Sequence, residues 1–312
     1  MSSRFIADRR RSSRHAVRSS AASAPSGPAR PDWREIDWNA HQRWVKIDGR
    51  QINLVELGDG SPIIFIHGLS GCWQNWLENI PAAARHHRVV AVDLPGFGAS
   101  QTPRLPISIP GYAETFVSLC HALEIDTATV VGNSMGGFIA AELAISHPPL
   151  LDRLVLVDAA GLSTEEMHRR PLYTLAHLAR SSGFSQLTAT PAVAKRPGLR
   201  RLALGLVARH PERFSADLSR AILAGGGKDA SPEALAFLSH HSIRDRLNQI
   251  RSPTLIIWGE NDRLVPVADA FELKSLIPDA QLIVFPDTGH VSMIERPERF
   301  NAALAEFTSQ TS

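Results

Sequence analysis

The sequence predicts an α/β domain, a doubly wound and mostly parallel sheet of eight strands, and three observations carry that prediction. Six short apolar runs, each closed by turn residues, recur along the chain: PIIFIHG (62–68), RVVAVDLPG (88–96), ATVVGNS (128–134), RLVLVDAAG (153–161), PTLIIWGEND (253–262) and AQLIVFPDTGH (280–290). Runs that are apolar on both faces suit parallel strands covered by helices on each side. Helix-like stretches separate them, around 74–86, 111–123, 135–147, 267–277 and 297–308. Strand–helix alternation of this kind gives right-handed crossovers in a doubly wound sheet. Two further strands come first. RWVKIDGRQINLVELG (43–58) alternates apolar and polar residues on both sides of Asp48-Gly49, and Asp-Gly readily supplies the positive φ of a tight hairpin turn.

One interval breaks the alternation. Residues 161–248 hold no convincing strand run, but Leu172, Leu175, Ala176 and Leu178 keep helical spacing, as do Leu199, Leu202, Ala203 and Leu206. Ser231-Pro232-Glu233 reads as an N-cap followed by proline at the first helical position. The expectation is a helical lid inserted after the sixth strand. The domain plan is then a disordered Arg/Ser-rich extension at 1–32, a core at 33–160 and 249–312, and the lid at 161–248.

Charge supports that division. The 312-residue chain carries a net charge of +2, but residues 1–30 hold seven arginines against the single acid Asp8. That local balance of +6 leaves −4 for the remainder, so the basic pI gives no argument for a nucleic-acid partner. The leader has too few large apolar residues to join a core. It also lacks the apolar stretch of a secretory signal, and although its Arg/Ser-rich, acid-poor make-up resembles an organellar transit peptide, arginine outnumbers lysine 29 to 4, a bias typical of GC-rich coding. A cytoplasmic bacterial enzyme is expected. No apolar run approaches the roughly 18 residues of a membrane span. Cys72 and Cys120 give no disulfide framework and read as small apolar fillers, and no metal or cofactor is expected because no His/Cys cluster has ligand spacing.

The chemistry concentrates at the ends of the strand runs. Gly132-Asn133-Ser134-Met135-Gly136 fits G-x-S-x-G between an apolar strand and a helix. In that setting the serine sits on a sharp, strained turn that lifts its hydroxyl above the sheet, and a Cβ at either glycine would crowd the neighbouring strand and helix. A serine hydroxyl needs a base to remove its proton. Of thirteen histidines, His290 follows the last run, on a loop at the same carboxyl edge as Ser134. His67, in HGLSG, is expected to shape its loop, and His240 and His241 lie in the lid interval, where an exposed or core-capping histidine is the better reading. A third group should accept a hydrogen bond from the other imidazole nitrogen and fix its tautomer. Asp262, in WGENDRLVP, is the expected acid, with Glu260 and Asp158 as substitutes. The backbone N–H groups of Met135 and Leu69 are the expected oxyanion donors. Losing one such donor typically costs about 2.7–4 kcal/mol of transition-state stabilisation.

Taken together, HGLSG, DLPGFGAS (93–100), GNSMGG, WGENDRLVP and the GH pair at 289–290 resemble the α/β-hydrolase superfamily over about residues 43–308, the lid excepted. The resemblance implies the order Ser134, Asp262, His290 for the catalytic residues and a structural loop at Asp93. Asn-Ser-Met-Gly-Gly around the serine is similar to the meta-cleavage-product hydrolases, which split carbon–carbon bonds in aromatic degradation. Two departures stand against that subfamily: Leu69-Ser70-Gly71 where a glycine-proline loop is usual, and Val291 where a tryptophan follows the histidine. Haloalkane dehalogenases and epoxide hydrolases resemble the fold but attack with aspartate, whereas Ser134 occupies that place; epoxide hydrolases also use paired lid tyrosines, and this interval has only Tyr173.

The leading expectation is a cofactor-independent serine esterase, lipase-like in its leucine-rich lid, that cleaves a small apolar ester through an acyl-enzyme. Carbon–carbon bond hydrolysis is the alternative enzyme reading. A non-catalytic ligand receptor on the same scaffold is the alternative of a different class.

Overall fold

The computed structural model describes residues 32–102, 107–163, 190–224, 234 and 241–310. Contacts divide the chain into residues 1–30 and a unit of residues 31–312, and every described residue falls in the second. The expectations placed on 1–31, on the spacing at 172–178, on Ser231-Pro232-Glu233 and on His240 lie outside the described residues.

Eight strands form one sheet in the order β1-β2-β4-β3-β5-β6-β7-β8. β1 (Gln42–Ile47) and β2 (Arg50–Leu57) make the expected hairpin, and the turn residues Asp48 and Gly49 both have positive φ, 49° and 76°. A two-residue turn of that kind matches the natural twist of its strands. β2 pairs antiparallel with β4 (His87–Val92), and every later pairing is parallel, through β3 (Ser61–Ile66), β5 (Ala128–Asn133), β6 (Leu151–Val157), β7 (Thr254–Gly259) and β8 (Ala280–Phe285). All six residues of β5 and of β7 are buried, as expected for strands covered on both faces.

The helices among the described residues are α1 (Trp38–His41), α2 (Ile80–Ala83), α3 (Ile109–Ala122), α4 (Met135–Ser146), α5 (Pro191–Lys195), α6 (Pro197–Leu204), α7 (Ala216–Ala224), α8 (Ala268–Leu276), α9 (Ser292–Glu295) and α10 (Pro297–Ser309). Two apolar cores form, one on each face of the sheet. α3, α4 and α8 supply the first, through residues such as Phe116, Phe138 and Leu273. α2, α9 and α10 supply the second, through Ile80, Met293, Phe300 and Phe307.

The strand order reverses at β3: the chain leaves it outward to β4, then crosses back to β5 on its other side. In open α/β sheets the crevice beyond the carboxyl ends of strands at such a reversal is where ligands bind. The loops beginning at His67 and at Ser134 flank it.

Two expectations need correction. The helix expected around 74–86 is a 3-10 turn at Trp73–Trp76 followed by α2. Pro81 explains the break, since its ring would clash with the carbonyl four residues back and it has no N–H to give. In the interval between β6 and β7 the described elements are helical, but α6 turns a different face inward from the one its spacing suggests. Leu204 is buried while Leu202 is 81% exposed. Arg200, also buried, donates from its guanidinium to the carbonyls of Ala194, Pro211 and Glu212, and so fixes that face toward the protein. No helix among the described residues is long and apolar enough to cross a membrane.

Candidate active site

Ser134 stands between β5 and α4 with φ 56° and ψ −119°, a conformation that L-residues rarely adopt. Its backbone is held on both sides. Its N–H donates to Val157 O at 3.0 Å, and its carbonyl accepts from Phe138 N at 3.1 Å and Ala160 N at 3.0 Å. The glycines around it are required by close approach. A Cβ on Gly132 would lie 2.2 Å from Gly136 O, and one on Gly136 would lie 2.3 Å from Ile66 O. The helix start thus packs directly against the end of β3, and only glycine fits there.

The loop after β3 comes to the same place. A Cβ on Gly68 would lie 3.0 Å from Ser134 Cβ, so Leu69 begins within reach of the serine. His67 shapes this loop: its Nδ1 lies 2.7 Å from Gly68 O and its Nε2 accepts from Leu94 N at 3.0 Å. That pattern is a neutral imidazole protonated on Nδ1, and complete burial pushes its pKa down. Asp93 holds the adjacent loop through Trp73 N, Ala99 N and Asn53 Nδ2. The N–H groups of Leu69 and Met135 meet no acceptor among the described residues. Met135 is the first residue of α4, where an N–H has no partner inside the helix.

His290 arrives from the loop after β8. Its Nδ1 lies 2.7 Å from Asp262 Oδ2, and both side chains are almost wholly buried. Asp262 Oδ1 accepts from Leu264 N at 2.7 Å and Val265 N at 3.0 Å, which fixes the carboxylate. Burial alone would lower the His290 pKa, but the Asp262 carboxylate, through its charge and its hydrogen bond, leads the opposing effects and the net shift is upward. Asn133 Nδ2, one residue before the serine, donates to His290 O at 3.2 Å. Ser134 Oγ makes no hydrogen bond among the described residues, so the structure joins acid to histidine and leaves the serine hydroxyl unengaged. Hydrogen bonds of that type are commonly long before substrate binds.

The two substitute acids are placed elsewhere. Glu260 is exposed and its carboxylate accepts from Asp287 N at 3.4 Å. Asp158 is fully buried at the end of β6, where its oxygens accept from Gly259 N at 2.7 Å and Ser292 N at 3.1 Å. Burial, reinforced by the nearby Asp262 charge, pushes its pKa up to about 8. His241, the described member of the lid-interval pair, lies 3.0 Å from Glu142 Oε2 on α4. Cys72 and Cys120 are buried and neither is in a disulfide, and burial pushes the Cys120 thiol up to about 12.

A family model described as alpha/beta hydrolase fold matches residues 61–297. The chain belongs to the α/β-hydrolase family. Among similar α/β hydrolases is the 2-hydroxy-6-oxo-2,4-heptadienoate hydrolase of Pseudomonas putida, 30% identical over 85% of this chain and 95% of that protein. A solved meta-cleavage product hydrolase superposes with a TM-score of 0.68 at 28% identity, covering 86% of this chain and 98% of its own. A bacterial membrane phospholipase A superposes with a TM-score of 0.70 at 26% identity, covering 86% and 85%.

Sequence reasoning left two groups of this α/β hydrolase's site unread. Asp158 was visible only as a substitute acid, and its bonds to Gly259 and Ser292 join residues 101 and 134 positions away. Glu295 gave no signal at all, since two of its three partners lie on a segment about 86 residues earlier.

Proposed function

We propose that this α/β hydrolase uses Ser134 as nucleophile, His290 as general base and then general acid, and Asp262 to orient that histidine, with the N–H groups of Leu69 and Met135 receiving the oxyanion. One observation carries the reading: a fixed Asp262–His290 pair stands at the same sheet edge as a serine strained into an elbow, within hydrogen-bond reach of the residue preceding that serine. In the proposed sequence Ser134 Oγ attacks a carbonyl carbon and its proton passes to His290 Nε2. The negative charge on the carbonyl oxygen is met by two unpaired N–H groups. The leaving group departs with the bonding electron pair and takes the proton from His290, and water then hydrolyses the acyl-serine by the same route in reverse.

For the bond cleaved, we infer a carbon–carbon bond beside a ketone. The name of the Pseudomonas putida relative places an oxo group on carbon six of a dienoate chain, and hydrolysis at a ketone can only split a bond to carbon. Transfer of the 2-hydroxyl proton to carbon five first makes that carbon tetrahedral, and the electron pair it keeps on departing is then delocalised through the resulting enone onto the 2-oxo group. Ester cleavage is the second reading, supported by the likeness to a phospholipase and by Leu69-Ser70-Gly71 in the loop after β3. In either case the described helices between β6 and β7, α5 to α7, are proposed to help roof the serine and exclude water.

The deciding experiment compares kcat/KM on 2-hydroxy-6-oxo-2,4-heptadienoate with kcat/KM on p-nitrophenyl esters of graded chain length. A tenfold or greater preference for the dienoate is expected, and the reverse preference assigns an esterase. A folded protein whose Ser134 reacts with a fluorophosphonate but which turns over neither class points to a receptor. Activity in Ser134→Ala removes the serine mechanism altogether.

A further inference from the structure

Besides Asp262, the segment that follows α6 also binds the loop carrying His290. His290 N–H donates to Val207 O at 3.0 Å. Immediately before it, Gly289 N–H donates to Glu295 Oε1 at 2.7 Å. The other oxygen of the same carboxylate, Oε2, accepts from Arg209 N at 2.9 Å and His210 N at 3.1 Å. Glu295 therefore satisfies three backbone donors on two chain segments at once. A carboxylate receiving several N–H groups makes charge-assisted bonds about twice as strong as neutral ones.

The fit is close. A Cβ on Gly289 would lie 2.7 Å from Arg209 N, 2.8 Å from Glu295 Oε1 and 3.1 Å from Ala208 C, so the two backbones meet with no room for a side chain between them. Outside this contact, Asp287 draws the same segments together through His210 Nε2 at 2.8 Å and Arg209 Nε at 3.4 Å. Glu295 itself touches neither Asp262 nor the Ser134 hydroxyl among the described residues. Its three hydrogen bonds among the described residues all go to the backbone around His290 and residues 209–210.

We infer that Glu295 is a positioning residue: its carboxylate clamps the His290 loop to residues 207–210, so that the imidazole and the segment after α6 are held as one unit. The inference rests on His290 being the general base. Its physical content is that Asp262 sets the ring's tautomer, while Glu295 sets where the loop holds the ring. A misplacement of about 1 Å at such a site can cost up to about a hundredfold in rate.

The test uses the full-length chain and three variants, Glu295→Gln, Glu295→Ala and Glu295→Asp, read by kcat and KM on a p-nitrophenyl ester or the dienoate, whichever the protein turns over. Proton NMR of the low-field His290 Nδ1–H gives a readout independent of turnover. Gln keeps one acceptor oxygen but points an N–H at a backbone donor, so Glu295→Gln should lower kcat roughly tenfold and Glu295→Ala more, with KM changed less than threefold. The Nδ1–H signal should broaden or move upfield in both. Glu295→Asp should recover part of kcat. Unchanged kcat and an unchanged Nδ1–H signal in cooperatively melting Glu295→Ala overturn the clamp. So does a kcat loss that Glu295→Asp and Glu295→Ala share equally while the Nδ1–H signal stays intact. His290→Ala separates this from the underlying reading: activity surviving that change removes His290 as base, whereas a dead His290→Ala beside a fully active Glu295→Ala removes the clamp alone.

Discussion

The turn holding Ser134 and the loop holding His290 reach the same crevice by opposite means. Around the serine the determinants are mostly near neighbours: Gly132 and Gly136 lie within two residues, and α4 begins at once. Around the histidine they are remote. Asp262 is 28 residues away, Val207 is 83 residues earlier, and Asp158 holds Ser292 from 134 residues back. The strained element is therefore locally encoded, and the mobile chemistry of a proton carrier depends on four separate segments meeting. A local device tolerates distant change but no change at its glycines; an assembled one should fail by degrees.

The sharpest break comes from the serine itself. Ser134→Ala should reduce kcat by about a millionfold without loss of folding, as single triad losses do elsewhere. Residual kcat above about a tenth of the parent would remove the nucleophile assignment. On the assembled side, Asp262→Asn should lower kcat by about ten-thousandfold with KM little changed, because the amide favours the wrong tautomer of His290. If Asp262→Asn is active and Asp158→Asn is dead, the orienting acid belongs at the end of β6.

Gly136→Ala probes the local side through stability. With Ile66 O only 2.3 Å from the added carbon, backbone must move. Thermal and urea unfolding should register a loss of about 1–3 kcal/mol, and a neutral substitution would mean the elbow relaxes freely.

The pH response tests the assembled side without mutation of the serine. His290 must be neutral to accept a proton, and its pKa is raised in the fold. Activity should therefore fall with decreasing pH along a limb that sits above the ordinary imidazole range, and the limb should move down in Asp262→Asn. A limb at or below the ordinary range in the parent contradicts that charge balance.

The smallest expected effect belongs to Asp158. An acid whose pKa rises from 3.8 to about 8 on folding binds its proton more tightly when folded, so its contribution to stability is lost as pH climbs between those values. Asp158→Asn removes that titration, although its amide can accept only one of the two backbone N–H groups. It should lower kcat by no more than Glu295→Gln does and flatten the decline in melting temperature from pH 5 to 8; a steeper decline would show the carboxylate to be needed ionised.

The residues in sequence order determined a good deal by themselves. Apolar runs with turn residues at their ends specified the strands because burial on both faces demands such runs whatever their partners. Asp48-Gly49 specified its hairpin, and G-N-S-M-G specified its elbow, because positive φ and close backbone approach are requirements of single positions. Pro81 could have been read as the break in the helix expected at 74–86. Only the tertiary structure chose Asp262 over Asp158 and Glu260 as the partner of His290, turned Leu202 outward and Leu204 inward, and brought Glu295 under the histidine loop. Each of those outcomes depends on which distant segment supplies the hydrogen-bond partner, as Arg200 finds Pro211 and Glu295 finds Arg209, and partner identity across a fold leaves no periodic mark in the chain.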